Sequence, residues 1–351
     1  MTTATTTLKI QKVIEPTFPN KPTQSFGGES SGFLNWNDTR YPYLYEERNN
    51  LRGLFWQANE IDMSGDIKQY PTLEPRLKDA FLRNIGMLAT LDAPQTTIAK
   101  LISDYASDPA ITTIFATIAD QEGEHNHSYS YVLATLETYD KQTEVFEIGR
   151  TNEALLKRNK RLTEIYNKAK LNPTPKNMAR AIVHSLILEG LRFYSGFAFF
   201  YGLARRSLMV NTSMMISYIN REELQHGRIM ADILLILLRE YPELNNKKFI
   251  KWIYKEFRLA VQEEKDWVDY NMEGVEDIYD RDEMFGFLEF RANKMLRSIS
   301  LDEIFEENTE NPMLWVTSYV DNFDNTKTNF FEGKNRQYVK ANNDNNGFDD
   351  L

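Results

Sequence analysis

The chain has 351 residues, with 41 basic against 51 acidic side chains and a formal charge of −10. That balance argues against nucleic acid or an anionic membrane as the main partner, since both need a positive footprint. Cysteine is absent, which excludes disulfides, thiolate metal sites and thiol nucleophiles, so any metal must be held by His, Asp and Glu.

Residues 1–35 are rich in Thr, Pro, Gly and Ser and read as an extended arm ahead of the core. The start, Met1 to Lys12, has no apolar segment of the secretory kind. From about Tyr43 to Asn308 apolar residues recur at three and four, which predicts helices. The spacing places long ones over Leu73–Tyr105, Ala110–Thr138, Lys141–Lys170, Lys176–Ser207, Thr212–Glu240 and Lys247–Tyr270. Shorter ones are expected at Asp282–Arg297 and Leu301–Glu306. Breaks fall at Ser107-Asp-Pro109, Asn172-Pro-Thr-Pro175 and Tyr241-Pro242, where proline cannot continue a helix. Helices of about 30 residues far exceed the globular mean of about 11–12, and long helices with short breaks predict a bundle. The most apolar stretch, Ala181 to Ala204, contains Glu189 and Arg192 and is flanked by Arg205, too charged for a membrane span. A soluble, cytoplasmic protein is expected. The organisation expected is an arm (1–35), an all-α helical domain (36–325) and a flexible tail (326–351). The tail's end, from Lys340, is polar, rich in Asn and Asp, and closes on Leu351, as docking peptides do.

There are only four histidines, and two stand in Glu-x-x-His: Glu122-Gly-Glu-His125 and Glu223-Leu-Gln-His226. Residues three apart on a helix are about 60° apart on one face, so each pair can reach one metal ion. In helical bundles, two such motifs plus a lone carboxylate from each of two further helices form a di-metal carboxylate site. Asp92 follows the apolar run Ile85–Leu91, and Glu189 follows Ile182–Leu188. The order is carboxylate helix, Glu-x-x-His helix, then the same again. Burying any of these charges alone would be very costly. Four carboxylates would balance two divalent ions, with both histidines ligating as neutral rings. Taken singly each residue has a plainer reading: Asp92 at a helix end before Pro94, Glu189 paired with Arg192. Tyr129, four residues after His125, shares its face to within about 40°. A phenol there is placed for one-electron oxidation, and Phe193, Phe197 and Ile219 are candidates for an apolar cage around it.

These residues sit in stretches that resemble the small subunit of class I ribonucleotide reductases. The stretches are Phe55-Trp56-Gln-Ala-Asn-Glu60-Ile-Asp62, Leu91-Asp92, Glu122-Gly-Glu-His125-Asn-His-Ser-Tyr129, Leu188-Glu189-Gly-Leu-Arg192-Phe193-Tyr194, Arg221-Glu222-Glu223-Leu-Gln-His226 and Lys327-Thr-Asn-Phe330-Phe331-Glu332. They run along almost the whole chain in the family's order. The resemblance implies a ferritin-like helical bundle. It implies that Asp92, Glu122 and His125 bind one metal and Glu189, Glu223 and His226 the other. Fe/Fe is the first expectation, with Mn/Fe and Mn/Mn as alternatives that oxygen and imidazole ligands admit equally. Oxygen or superoxide would serve as oxidant, the latter supplied by an activating flavoprotein, and a stable radical would rest on Tyr129. The radical would pass by way of Trp56, Glu222 and the tail residue Tyr338 to a large subunit that reduces ribonucleotides. The terminal Gly347-Phe-Asp-Asp-Leu351 would anchor that partner, and the small subunit would be a homodimer. The chain departs from the family at Glu222, where Asp is usual, which puts the hydrogen-bonded route through His125 and Trp56 in question. The rival readings are a related di-iron or Mn/Fe ligand-binding oxidase, a ferritin-type storage protein, and a metal-free helical scaffold.

Overall fold

The computed structural model describes residues 3–319. The chain is helical, and among the described residues the one β-type pairing is an isolated bridge between Phe26 and Ala106. Eleven α-helices lie wholly within that range: α1 (Leu44–Gly53), α2 (Ser64–Gln69), α3 (Pro75–Tyr105), α4 (Pro109–Leu136), α5 (Tyr139–Thr151), α6 (Glu153–Leu171), α7 (Pro175–Ile187), α8 (Tyr194–Ala204), α9 (Val210–Glu240), α10 (Lys247–Asn271) and α11 (Arg281–Ser298). Among them α3 packs against α4, and α7 against α9. Together they form the expected all-α, ferritin-like bundle. No helix among the described residues is long and apolar enough to cross a membrane.

Starts and stops follow local chemistry. Asp108 caps α4 by accepting from the Ala110 N–H at 2.9 Å, and Thr174 caps α7 through the Asn177 N–H at 3.2 Å. Asn246 and Asp280 cap α10 and α11 in the same way. Helix α9 has no side-chain cap of its own, and its Met209 lies in the left-handed region (φ 48°). Asp66 on α2 supplies the cap instead, accepting from the N–H groups of Asn211 (3.1 Å) and Thr212 (2.7 Å). The helix that bears two of the site residues is thus anchored from outside itself.

Three expectations change. The single helix over Lys141–Lys170 is two, because Asn152 ends α5 and its side chain caps α6 by accepting from the Leu155 N–H. Residues 301–306 are not helical, since the Asn293 side chain accepts from the backbone N–H groups of Ile304 and Phe305 and holds the segment as a loop. The helix over Lys176–Ser207 is interrupted by a π turn, Leu188–Arg192. Residues 3–35 form no helix, and they add Ala4, Leu8 and Phe26 to the core. The Phe26 carbonyl accepts from the buried Tyr241 hydroxyl. The apolar Ala181–Ala204 stretch is the centre of the bundle: residues 194–203 are buried on every face of α8, which is how a core helix comes to look membrane-like in sequence.

Candidate metal centre

Four elements each deliver one part of the cluster. Asp92 comes from α3, Glu122 and His125 from α4, Glu189 from the π turn, and Glu223 and His226 from α9. All six are fully buried. Helix α3 runs on through Pro94 to Tyr105, so Asp92 is an interior residue and not a helix end. Arg192 does not pair with Glu189. It turns to Glu263 and to Glu264 (3.2 Å), and Glu264 also binds Arg158 (2.6 Å). The plain readings of Asp92 and Glu189 therefore fail.

The ligand-type atoms fall into two groups, each lying within 4.8 Å: Asp92, Glu122, His125 and Glu223, and then Glu122, Glu189, Glu223 and His226. Glu122 and Glu223 belong to both, so the two triads expected from the sequence are fused through two shared carboxylates. His125 Nδ1 lies 2.9 Å from Glu223 Oε1, and His226 Nδ1 lies 3.2 Å from Glu122 Oε1.

The inward atoms have no hydrogen-bond partners. This holds for both oxygens of Glu122 and Glu223, for Glu189 Oε2, and for Nδ1 of both histidines. The outward atoms are all engaged. His125 Nε2 meets Glu222 Oε2 at 2.9 Å, and the same oxygen accepts from Trp56 Nε1 at 3.0 Å. The longer Glu222 thus spans His125 and Trp56 unaided. His226 Nε2 meets Gln121 Oε1 at 3.0 Å. The Gln121 amide in turn donates to Glu222 Oε1 (2.9 Å) and to the Leu51 carbonyl (3.1 Å). Orphaned donors turned inward and satisfied ones turned outward are what a metal pair with an organised outer shell requires. Oxygen and imidazole donors of this kind suit iron or manganese.

Protonation reflects the crowding. Burial, then Glu122 and Glu223, pushes Asp92 well above the usual carboxylate range. Burial alone would lower His125, but Glu223, Glu122 and Glu222 outweigh it and hold it well up. His226 is likewise raised to about 9 against its own burial, by Glu122 and Glu223. Burial opposes ionisation of Glu223, yet the two imidazoles hold it low.

Tyr129 is buried with its hydroxyl turned to Asp92, and burial, followed by the charge and the hydrogen bond of Asp92, pushes its pKa well up. Phe193 and Phe197 stack at 5.5 Å, and both are sealed from solvent, as is Ile219. His184 and His127 stand apart from the cluster: His184 meets Glu256 (3.1 Å) and His127 meets Glu124 (3.2 Å). Tyr338 and the tail 326–351, including Lys327–Glu332, lie outside the described residues.

Sequence reasoning missed Gln121 and Gln95. The first had a signal: Gln121 directly precedes Glu122 as Glu222 directly precedes Glu223. Gln95, whose amide reaches Glu189, had none, because only the packing of α3 beside the π turn brings them together.

A helical bundle closed around a buried carboxylate–imidazole cluster defines the class to which the chain belongs. The model of the family "Ribonucleotide reductase, small chain" matches residues 33–312. The "Ribonucleoside-diphosphate reductase subunit beta" of Halalkalibacterium halodurans is 40% identical over 344 residues, covering 98% of this chain and 99% of that one. A solved "putative class I ribonucleotide reductase" from Bacillus halodurans superposes with a TM-score of 0.84 at 38% identity, over 89% of this chain and 99% of that one. The dimanganese(II)-NrdF of Streptococcus sanguinis superposes with a TM-score of 0.73 at 25% identity, over 82% of this chain and 99% of that one. The chain belongs to the ribonucleotide reductase small-chain family. Membership makes it the beta component of that reductase and implies a large-subunit partner.

Proposed function

We propose that this chain generates and stores the radical that its large-subunit partner uses to reduce ribonucleotides to deoxyribonucleotides. The observation that carries the reading is the fused donor set: six buried side chains with their inward atoms unpartnered, beside a sealed tyrosine. Asp92, Glu122, His125 and Glu223 would hold one metal, and Glu122, Glu189, Glu223 and His226 the other. When bound and oxidised by oxygen or superoxide, the pair would supply the oxidising equivalent that takes one electron from Tyr129. Fe/Fe, Mn/Fe and Mn/Mn all fit these donors. The S. sanguinis relative is a dimanganese protein, which makes manganese loading, with an activating flavoprotein as source of superoxide, as natural a trial as iron.

The chain's own residues have distinct tasks. The apolar surroundings keep water and reductants from Tyr129. Glu222 accepts the hydrogen bonds of Trp56 and His125 on one oxygen and so joins the cluster to the tryptophan. Trp56, Glu222 and Tyr338 would carry the radical outward. The tail ending Gly347-Phe-Asp-Asp-Leu351 would dock to the large subunit, and the chain would work as a homodimer. With no cysteine, it cannot itself supply thiols for nucleotide reduction.

The test is electron paramagnetic resonance on protein loaded anaerobically with Fe(II) or Mn(II) and then oxidised, with metal counted on the same sample. About two metals per chain and a tyrosyl signal that disappears in Tyr129→Phe are expected. Absence of bound metal would refute the proposal. Two metals without a radical would favour the ligand-binding oxidase.

A further inference from the structure

Glu189 differs from the other two glutamates of the cluster. Glu122 and Glu223 have both oxygens unpartnered, whereas Glu189 has only Oε2 free. Its Oε1 accepts from the Gln95 amide. That amide is itself enclosed. Gln95 Nε2 also donates to Ser185 Oγ at 2.9 Å. Gln95 Oε1 accepts from the Tyr166 hydroxyl and from Ser185 Oγ (3.0 Å). Gln95, Ser185, Tyr166 and Glu189 are all buried, and they come from α3, α7, α6 and the π turn respectively.

Counting protons shows that only one orientation works. Both amide hydrogens have acceptors, in Glu189 and Ser185. Both acceptor positions on the amide oxygen are filled, by Tyr166 and Ser185. A flipped amide would set its oxygen against the Glu189 carboxylate, acceptor facing acceptor, and would force Tyr166 to accept from the NH2 group and donate to Ser185 Oγ (3.1 Å) instead. A buried amide left with such mismatches loses about 1–3 kcal/mol per unsatisfied group.

We propose that Tyr166 and Gln95 are positioning residues for the metal pair: the Tyr166 hydroxyl locks the Gln95 amide, which occupies Glu189 Oε1 and leaves Oε2 as the single ligand atom. The inference rests on the metal-site reading above. It makes Glu189 a one-oxygen ligand held from behind, at the point where the π turn loosens backbone restraint.

The test is an anaerobic Mn(II) titration of the full chain, with free Mn(II) counted by electron paramagnetic resonance and the melting temperature of the metal-free protein read on the same samples. Two ions should bind to the unaltered chain. In Tyr166→Phe, which keeps the ring and loses the hydroxyl, one ion should weaken about tenfold or more while the other holds, as loss of an outer-shell partner does elsewhere. Gln95→Leu should weaken the same ion further. Both ions weakening together with a fall in melting temperature would show a merely structural role and overturn the proposal. Two ions bound unchanged in both variants would overturn it equally, while leaving the metal-site reading intact. Failure of the unaltered chain to bind two ions would remove that reading and the proposal with it.

Discussion

The α3–α4 pair and the pair made by α9 and the π turn after α7 carry the same three-residue offering: one lone carboxylate, then the Glu and His of a Glu-x-x-His motif on a later helix. Their flanking positions differ at three points. Four residues after the histidine stands Tyr129 in one pair and Met230 in the other. Immediately before the motif stands neutral Gln121 in one and Glu222 in the other. Three residues after the lone carboxylate stands Gln95, turned to the cluster, or Arg192, turned away to Glu263 and Glu264. In the proposed reading the ligand set is duplicated and the radical-bearing phenol is not. Only one pair places a tyrosine four residues after its histidine, and the direct link to Glu222 and Trp56 starts from His125. The partner of His226, Gln121, runs on to the Leu51 backbone and to Glu222.

The comparison can be broken in graded ways. The largest stability effect belongs to the second pair, where Glu264 holds both Arg158 and Arg192 in the interior. Glu264→Leu leaves two buried guanidinium groups short of a partner and should cost about 3–5 kcal/mol, read by denaturant unfolding. A loss below about 1 kcal/mol would mean that water or Glu263 replaces it. On function, Glu222→Gln should leave the radical on Tyr129 at near-normal yield but lower turnover with the large subunit by roughly 10- to 100-fold. Gln121→Leu should instead weaken metal binding and spare transfer. If the two variants behaved alike, the asymmetry between the pairs would be decorative.

Acid should unfold the second pair first. Burial depresses His184 on α7 below its ordinary value despite Glu256 beside it. Its folded-state value lies below its unfolded one of about 6.5, so its contribution is present above that pH and is lost as pH falls through the folded value. Glu256 is held down to about 2 against its burial by His184 and Arg161. Its contribution therefore stays until pH drops below about 4.5 and is lost toward 2. His184→Gln should flatten the first limb of the melting-temperature profile and move the second toward higher pH, because Arg161 alone then holds Glu256 down. An unchanged first limb would assign it elsewhere. The smallest effect is on Tyr129→Phe in the metal-free chain. Its hydroxyl has one partner, the Asp92 carboxyl, so removing it should change stability by about 1 kcal/mol, a shift that calorimetry resolves.

Much of this was readable from one line of letters, for a definite reason. Ligands to a buried metal pair must be charged or imidazole groups at apolar helical positions, and in Asp92, Glu122, His125, Glu189, Glu223 and His226 that clash of chemistry with surroundings is visible without coordinates. Helix ends at Pro109 and Pro175 were legible because proline acts locally. The break at Asn152 was not, since it sits in a polar, amphipathic run whose periodicity continues across it. Sharing of Glu122 and Glu223 between the two groups depends on the distance between helices, to which spacing along one helix is blind. The closed network of Gln95, Ser185 and Tyr166 joins three helices far apart in sequence and leaves no periodic trace.

The π turn at Leu188–Arg192 works as a change of gear. The Phe193 N–H reaches back to the Leu188 carbonyl at 3.4 Å, five residues and not four. One residue added to a helical turn rotates everything downstream by about 100°. Glu189 and the aromatic row that begins at Phe193 are thereby indexed independently, one to the cluster and the other to the packing of α8. Deleting a single residue there would leave a better-formed helix in which only one of the two could still face the right way.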